Sequence, residues 1–354
     1  MWLLLAVSCS GGAAGPPPPR EPVQPDKLSS YSELVRDLEA GALEGYGQLA
    51  LGNVEAYADG IAHGVDLTLI GMSADAVVLG VDPPDAYGDR RIFRDREGLE
   101  IVSKNLRVNL ARDESVGWTS DEVSYRIPIP VVRNGQVITE RMASIPIRLT
   151  AAWVRDVDRW VQVMEHVSYP LTAQHIIDLA RARRLEQPPA LVAGTTGRTV
   201  DDRTAAQIRQ VIEQLHGSVA DPASLLVADQ RSLILWPPPD QEYSGRVVAQ
   251  APSLASLFGA GAHVRITDAR VSARVNTTAW ACATLAVDLG GTDSELTVYL
   301  RGTYLLEARK LQGEWRWRVV QVHVSVPLSE SQVEGYVFGT EPQAPPESPP
   351  PPPE

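Results

Sequence analysis

A twelve-residue segment that occurs twice constrains this chain more than any other feature. Trp160–Leu171 (WVQVMEHVSYPL) and Trp317–Leu328 (WRVVQVHVSVPL) align without a gap, 317 − 160 = 157 positions apart, and seven of their twelve residues are identical. In each copy β-branched residues alternate along the segment, which ends at a Pro-Leu that stops strand pairing. We therefore predict two closing strands, one in each of two related domains.

The segments before the two closing strands follow the same order. Each copy begins with helical patterns and a short apolar strand, Ala76–Val81 or Ser232–Trp236, which a Pro-Pro-Asp sequence follows within a few residues. Long antiparallel strands then lead to the closing strand. Helices on one side of an antiparallel sheet indicate an α+β fold. The long strands are predicted at Val116–Val132 and Gln136–Val154, joined by Asn134-Gly135, and at His263–Val287 and Leu296–Ala308.

Two further segments have patterns that predict helices. Lys27–Ala62 is rich in Leu, Ala and Glu but is broken by Gly41, Gly45, Gly47 and Gly52, which predicts two or three helices, with Asn53 capping the last one. Ile92–Leu110 has apolar residues at helical spacing. The resulting organisation is a signal and tether at 1–26, a first domain at 27–171, a helix and linker at 172–200, a second domain at 201–339 and a disordered Pro-rich tail at 340–354.

The order of elements resembles the SnoaL-like group of the nuclear transport factor 2-like superfamily. The resemblance is carried by the segment SADAVVLGVDPPDAYGD and by the closing Trp-x-x-Val-x-x-His-x-Ser strand. It implies two cone-shaped domains, each with helices packed on a strongly bent antiparallel sheet around an apolar pocket. The superfamily includes isomerases, cyclases, dehydratases and proteins without catalysis, so the fold alone does not assign a function.

The closing-strand histidines are the first candidates for chemistry. Strict alternation would place Trp160, Gln162, Met164, His166 and Ser168 on one face, with His323 on the matching face of the second copy. A histidine that faces a pocket could act as a base. Because each histidine recurs with a serine two residues later, we favour a structural role, in which it is bonded to a neighbouring strand or hydroxyl.

Carboxylates and tryptophans are further candidates. Asp85 and Asp240 follow Pro-Pro and could be raised-pKa bases in the cone, although capping of a turn is the simpler interpretation. Strand aromatics could line a pocket for a flat ligand, although core packing is the default expectation. No Gly-rich phosphate loop, nucleophile elbow or metal-ligand spacing occurs, and no cofactor or metal is predicted. The candidate pocket residues are Trp118, Trp153, Met164, Trp280 and Gln321.

The amino terminus resembles a bacterial lipoprotein signal. An apolar run, Trp2–Val7, is followed by Ser8-Cys9 and a tether rich in Gly and Pro, although no Lys or Arg precedes the run. Lipid modification of Cys9 would anchor the chain in the bacterial cell envelope, facing the periplasm or cell surface. The net charge of −12 argues against nucleic acid as a partner.

Three functions are compatible with the sequence. The leading one is a non-catalytic envelope lipoprotein that binds a small apolar ligand or an envelope protein. An acid–base enzyme of the isomerase, dehydratase or cyclase type is the first alternative, and a structural tether in the cell envelope is the second. The valines on the face opposite the histidines, such as Val163 and Val322, are expected to be buried against another surface. We therefore expect the copies to pack through that face as an internal pseudo-dimer.

Overall fold

The computed structural model describes residues 27–338, except residues 63, 65, 81–98, 134–135, 186, 192–199, 218–221, 275–276, 291–292 and 294. Cys9, Asp85, the Asn134-Gly135 turn and the Pro-rich tail lie outside the described residues. Within them the fold is α+β, with two separate sheets and few helices. None of the helices described is long and apolar enough to cross a bilayer.

The first sheet contains seven strands among the described residues, in the order β2-β1-β7-β6-β5-β3, with β4 also paired to β5. All neighbours are antiparallel except β1 and β7, which are parallel. The strands are β1 Thr68–Ile70, β2 Val77–Leu79, β3 Glu100–Ser103, β4 Arg107–Leu110, β5 Val116–Arg133, β6 Gln136–Asp156 and β7 Arg159–Ser168.

The second sheet has six strands among the described residues and repeats this order as β10-β11-β12-β13-β8-β9. Here β8 is parallel to the closing strand β13, as β1 is to β7. The strands are β8 Leu233–Leu235, β9 Glu242–Ser244, β10 His263–Arg274, β11 Thr278–Asp288, β12 Thr297–Leu311 and β13 Glu314–Ser325.

Five α-helices are described, and most cover one face of a sheet. They are α1 Lys27–Ala50, α2 Val54–Asp59, α3 Ala173–Arg181, α4 Asp202–His216 and α5 Glu330–Phe338. Short 3-10 helices lie at Pro222–Leu225, Gly245–Gln250 and Ala255–Phe258. Helix α1 packs on the first sheet and α4 on the second. We call the helix-covered side of each sheet the first cone and the second cone.

Several local predictions differ from the structure. Helix α1 continues through Gly41, Gly45 and Gly47 because its buried stripe, which includes Leu38 and Tyr46, outweighs about 1 kcal/mol per glycine. The predicted break before Asn53 is correct, and the Asn53 side chain accepts a hydrogen bond from the backbone N–H of Ala56.

Two strand assignments need correction. The helix predicted to end at Leu110 is wrong for residues 100–110, which form β3 and β4, because both pair with the long strand β5. The strand predicted over 263–287 is two strands, β10 and β11, which pair with each other in antiparallel orientation. Pairing with a neighbouring strand overrides the local pattern in both cases.

Candidate functional site

A bulge in each closing strand decides which side chains enter the cones. On β7, Met164 pairs with Ala152 but Gln162 pairs with Trp153, so Val163 is an extra residue. On β13, Gln321 pairs with Leu305 and Val319 with Leu306, so Val320 is extra. One extra residue reverses the alternation of faces beyond it.

The bulges correct the predicted faces. Trp160 and Gln162 do not share a face with His166; they lie on the face of Glu165, inside the first cone. Trp317 is likewise in the apolar core rather than beside His323. The prediction that the valine face joins the two copies is also wrong, because most of these valines belong to the helix-covered core. Those core valines are Val167, Val322, Val324 and Val326.

The two sheets contact each other through their histidine faces. The rings of His166 and His323 stack with centroids 3.9 Å apart and an angle of 20° between their planes. His166 Nε2 hydrogen-bonds Ser325 Oγ at 2.6 Å, and His323 Nε2 hydrogen-bonds Ser168 Oγ at 2.7 Å. The Nδ1 atoms bond threonines of the opposite sheet, His166 to Thr303 at 3.0 Å and His323 to Thr150 at 2.9 Å. We call these six residues the sheet interface.

Further pairs of contacts flank the sheet interface in the same reciprocal way. The Arg148 guanidinium donates to the carbonyls of Trp236, at 2.6 Å, and Pro239, at 2.8 Å, in the second domain. Arg301 donates to the carbonyls of Ser73 and Ala74 in the first. The Leu171 N–H donates to the Pro237 carbonyl at 3.1 Å, and the Leu328 N–H donates to the Met72 carbonyl at 3.0 Å.

Burial keeps both interface histidines neutral. His166 and His323 are essentially inaccessible, at 0% and 1% exposure. Burial lowers the pKa of His166 to about 3, with a smaller effect from the nearby Arg301 charge. Burial also holds the pKa of His323 well below its usual value, helped by His166 and Arg148. With both ring nitrogens bonded to hydroxyls, neither histidine can reach a ligand in a cone, which favours the structural interpretation.

The five residues predicted to line a pocket do not all lie together. Trp118, Met164 and Trp280 lie together in a buried cluster between the sheets, with Leu305 and Val320. Trp118 Nε1 donates to the Arg231 carbonyl at 3.4 Å, and Trp280 Nε1 donates to the Asp66 carbonyl at 3.2 Å.

Trp153 and Gln321 complete the predicted set. Trp153 lies apart, inside the first cone, where its Nε1 donates to Thr119 Oγ1 at 3.2 Å. Gln321 is 3% exposed, and neither atom of its amide has a hydrogen-bond partner among the described residues. Gln321 lies two residues before His323 on β13 and therefore on the same face of the strand.

Asp240 is an exposed residue in the turn between β8 and β9, so it is not a base buried in a cone. The register also changes its counterpart. Strand β8 occupies the place of β1 and β9 that of β2, so Asp240 corresponds to Asp75, which is exposed as well. The predicted match between Ala76–Val81, which contains β2, and Ser232–Trp236 is therefore wrong.

The first cone contains a buried glutamate at a position where the second copy has Val322. Glu165, on β7, is 3% exposed. Its Oε2 accepts hydrogen bonds from the Tyr57 hydroxyl at 2.9 Å and from Gln162 Nε2 at 2.7 Å. Helix α2 supplies the tyrosine, and the bulge at Val163 turns Gln162 toward the glutamate. The Tyr57 and Gln162 side chains thus hold the Glu165 carboxylate in a fixed orientation inside the cone.

A second carboxylate, Asp121 on β5, lies on the same face. Asp121 is opposite Leu149, which is opposite Val167, two residues from Glu165. The Asn105 N–H donates to Asp121 Oδ1 at 3.0 Å, while Oδ2 is buried and has no hydrogen-bond partner among the described residues. Burial raises the pKa of Asp121, although the Ser103 and Tyr46 side chains and the N–H groups of Asn105 and Lys104 act in the opposite direction. Burial and the Asp121 charge also keep the pKa of Tyr46, on α1, well above its usual value.

The second cone has a different chemistry at the same positions. The register places Ala283 where the first cone has Asp121, Val322 in place of Glu165 and Val319 in place of Gln162. Its buried polar pair is His216 and Tyr304, joined by a 2.7 Å hydrogen bond between the tyrosine hydroxyl and Nε2. Burial lowers the pKa of His216 to about 3, so this ring is neutral near pH 7.

Sequence reasoning missed Asp121 and Tyr57, and one signal could have found Asp121. It is an acidic residue at an inward position of the Thr119–Val123 alternation, on a face that is otherwise apolar. Tyr57 has no such signal, because its contact with Glu165 spans 108 residues. No group of three or more His, Cys, Asp or Glu side chains among the described residues is arranged to hold a metal ion.

Comparison with models of protein families finds a match in the second half of the chain. The model of the SnoaL-like domain family matches residues 208–329, and this part of the chain is a SnoaL-like domain. No match to a curated protein was found.

Three solved structures illustrate the similarity of fold. A putative dehydratase of the NTF2-like family from Streptomyces avermitilis is 12% identical, with 40% of this chain and 99% of that chain covered and a TM-score of 0.34. The association domain of C. elegans CaMKII is 15% identical, with coverages of 40% and 98% and a TM-score of 0.30. A putative scytalone dehydratase from Novosphingobium aromaticivorans is 12% identical, with coverages of 41% and 89% and a TM-score of 0.32.

Proposed function

We propose that the chain is a non-catalytic binding module, with the ligand site in the first cone. The observation that carries this proposal is the difference between the two cones. The first cone has Asp121 and Glu165 on its inner face, whereas the second has Ala283 and Val322 at the same registers. A buried carboxylate is costly unless it is paired or hydrogen-bonded. The presence of two buried carboxylates in one cone and none at the same registers of the other favours the first cone as a ligand site.

The chemistry of the site suggests the class of ligand. The inner face presents apolar side chains together with carboxylate oxygens, which only accept hydrogen bonds. Asp121 Oδ2 makes no hydrogen bond of ordinary geometry among the described residues, although the nearby Tyr46 side chain favours the Asp121 charge. The best complement is a small molecule with an apolar body and at least one hydroxyl or N–H donor.

A fluorine NMR titration tests this proposal. We expect 4-fluorophenol to bind the full chain saturably and 4-fluoroanisole, which lacks the donor, to bind at least tenfold more weakly. Asp121→Asn should weaken 4-fluorophenol binding by a similar factor. Tyr304→Phe, the matched control in the second cone, should leave it unchanged. Equal binding of the two probes, or no effect of Asp121→Asn, would rule out the first cone as the site.

General acid–base catalysis in the same cone is a second candidate function. The observation in its favour is the pKa of Asp121, which burial raises, because a carboxylic acid with a raised pKa is a better proton donor and acceptor near neutral pH. Deuterium incorporation next to the carbonyl of 2-tetralone in D2O measures proton transfer at carbon. Exchange that the unchanged protein accelerates and the Asp121→Asn variant does not would support an enzyme. Exchange at the uncatalysed rate in the presence of the unchanged protein would support binding alone.

We also propose that the two copies form an internal pseudo-dimer on an envelope lipoprotein. The reciprocal bonds of His166 and His323 support the first part, since each copy satisfies the polar groups of the other. The apolar run before Cys9 and the Gly- and Pro-rich segment after it support the second part. A lipid on Cys9 would place the first cone within a tether's length of the membrane.

A further inference from the structure

A cavity of about 450 Å³ lies outside both cones, at the end of the β12–β13 hairpin. Its walls come from three parts of the chain: Arg112 before β5, the Leu226-Val227 segment before β8, and the hairpin itself. Its volume is in the range of small-molecule sites, which are typically about 300–1,000 Å³. The cavity is thus large enough for a small ligand and is formed by both domains.

The lining of this cavity is strongly cationic. Among its eight lining residues, four are basic and none is acidic; the basic ones are Arg112, Arg309, Lys310 and Arg318. The whole chain has a net charge of −12, so a cluster of four basic residues without an acidic one differs from the acidic composition of the rest of the chain. A concave site lined by one sign of charge attracts ligands of the opposite sign.

Two carboxylates contact the lining of this cavity through Arg309. Glu307 and Asp229 lie behind the cavity, where Arg309 Nη2 contacts them at 2.5 Å and 3.2 Å. Arg231 binds the same two carboxylates, at 2.8 Å each. Two carboxylates are therefore shared by two arginines. The positive charges of Arg112 and Arg231 contribute, after burial, to lowering the pKa of Arg309.

The basic residues that the second domain contributes to this cavity have no counterparts in the first copy. The strand registers place Val154, Asp156 and Val161 in the first copy where the second has Glu307, Arg309 and Arg318. The second hairpin is also longer by the pairs Lys310–Trp315 and Leu311–Glu314. This extension adds Trp315, a half-buried aromatic ring, to the lining.

We propose that this cavity binds a small aromatic oxyanion, a phosphate or carboxylate attached to a flat apolar group. The guanidinium groups of Arg112 and Arg318 match the planar, bidentate geometry of such oxyanions, and Arg309, held by Glu307 and Asp229, adds positive charge behind them. The Trp315 ring and the Leu226 side chain provide apolar surface for the body of the ligand.

Isothermal titration of the full chain with phenyl phosphate tests the proposal. We expect one saturable site, with a dissociation constant of roughly 0.1–1 mM for a ligand of this size, which weakens as NaCl is added. Benzoate is titrated in parallel, and the tighter of the two identifies the preferred head group. Inorganic phosphate and benzyl alcohol should each bind at least tenfold more weakly than phenyl phosphate.

Matched variants assign the binding to the cavity. Arg112→Gln/Arg318→Gln should weaken phenyl phosphate at least tenfold, whereas Arg126→Gln, which removes an arginine on β5 paired with Glu100, should leave it unchanged. Trp315→Ala should remove the preference for phenyl phosphate over inorganic phosphate. The proposal is overturned if neither phenyl phosphate nor benzoate binds saturably, if benzyl alcohol binds equally well, or if the double variant binds like the unchanged chain.

Discussion

His166 and His323 lie on different sheets of one chain, yet their rings stack 3.9 Å apart and each bonds a serine and a threonine of the other sheet. The residue pairs are equivalent in the two repeats, so the contact has twofold character. The histidine, serine and threonine side chains of the sheet interface can be buried because each of them meets a partner. This explains why the two repeated segments are most alike at His-x-Ser.

Acid should weaken this contact. The pKa of His166 is about 3 in the folded chain, against about 6.5 when unfolded, so the unfolded state binds more protons as the pH falls. The stabilisation is complete above about pH 6.5 and is lost progressively toward pH 3, by up to about 1.4 kcal/mol per pH unit for each histidine. Urea denaturation between pH 7 and 4 measures this slope.

The variant His166→Gln/His323→Gln should unfold with a shallower pH dependence than the unchanged chain. His175→Gln, at an exposed position on α3, is the control and should keep the original slope. Equal slopes for all three proteins would show that the interface histidines are not held neutral.

Trp160 and Trp317 should contribute similarly to stability. Both are buried, at 9% and 6% exposure, in the apolar core behind the closing strands. Replacing either with Ala should cost about 3–5 kcal/mol, the usual penalty for a large aromatic side chain in a core. Chemical denaturation measures the cost, with Leu51→Ala, at an 80% exposed position, as control. Losses below about 0.5 kcal/mol for both tryptophans would contradict the core assignment.

Gly302 should not tolerate a side chain. A Cβ at this position would lie 2.5 Å from the Tyr304 hydroxyl and 2.9 Å from its ring, and Tyr304 is fixed by its bond to His216. Gly302→Ala should therefore destabilise the chain by about 1–3 kcal/mol through overpacking. In a Tyr304→Leu background the same substitution should cost much less. Additive costs in the double-mutant cycle would exclude this clash as the cause.

The sequence predicted the closing strands well because their repeat and alternation are local signals. It could not predict the faces, since the extra residues Val163 and Val320 look like any other strand valine. A single bulge moved Trp160 and Gln162 into the cone and left the histidine on the opposite face. Asp121 and Tyr57 escaped attention for a related reason: their roles depend on neighbours that only the folded chain brings together.

The amino terminus gives a prediction that is independent of the fold. If Cys9 is the mature first residue, mass spectrometry of the protein isolated from bacterial membranes should find a cysteine carrying diacylglycerol, with or without a third acyl chain. Cys9→Ser should abolish the modification and release the protein from the membrane fraction. An unmodified chain that still begins at Met1 would contradict the assignment.

The chain should be a monomer in solution, because its two copies satisfy each other's polar faces. Light scattering of the chain without its first 26 residues should give the mass of one chain. Thr150→Asp should disrupt the sheet interface, since it replaces the hydroxyl that bonds the buried, neutral His323 ring with a carboxylate. We expect a lower midpoint of unfolding for this variant, whereas the exposed substitution Thr139→Asp on the same strand should have little effect. A stable dimer of whole chains joined through β7 and β13 would show that the interface forms between molecules, and the internal pseudo-dimer would then be wrong.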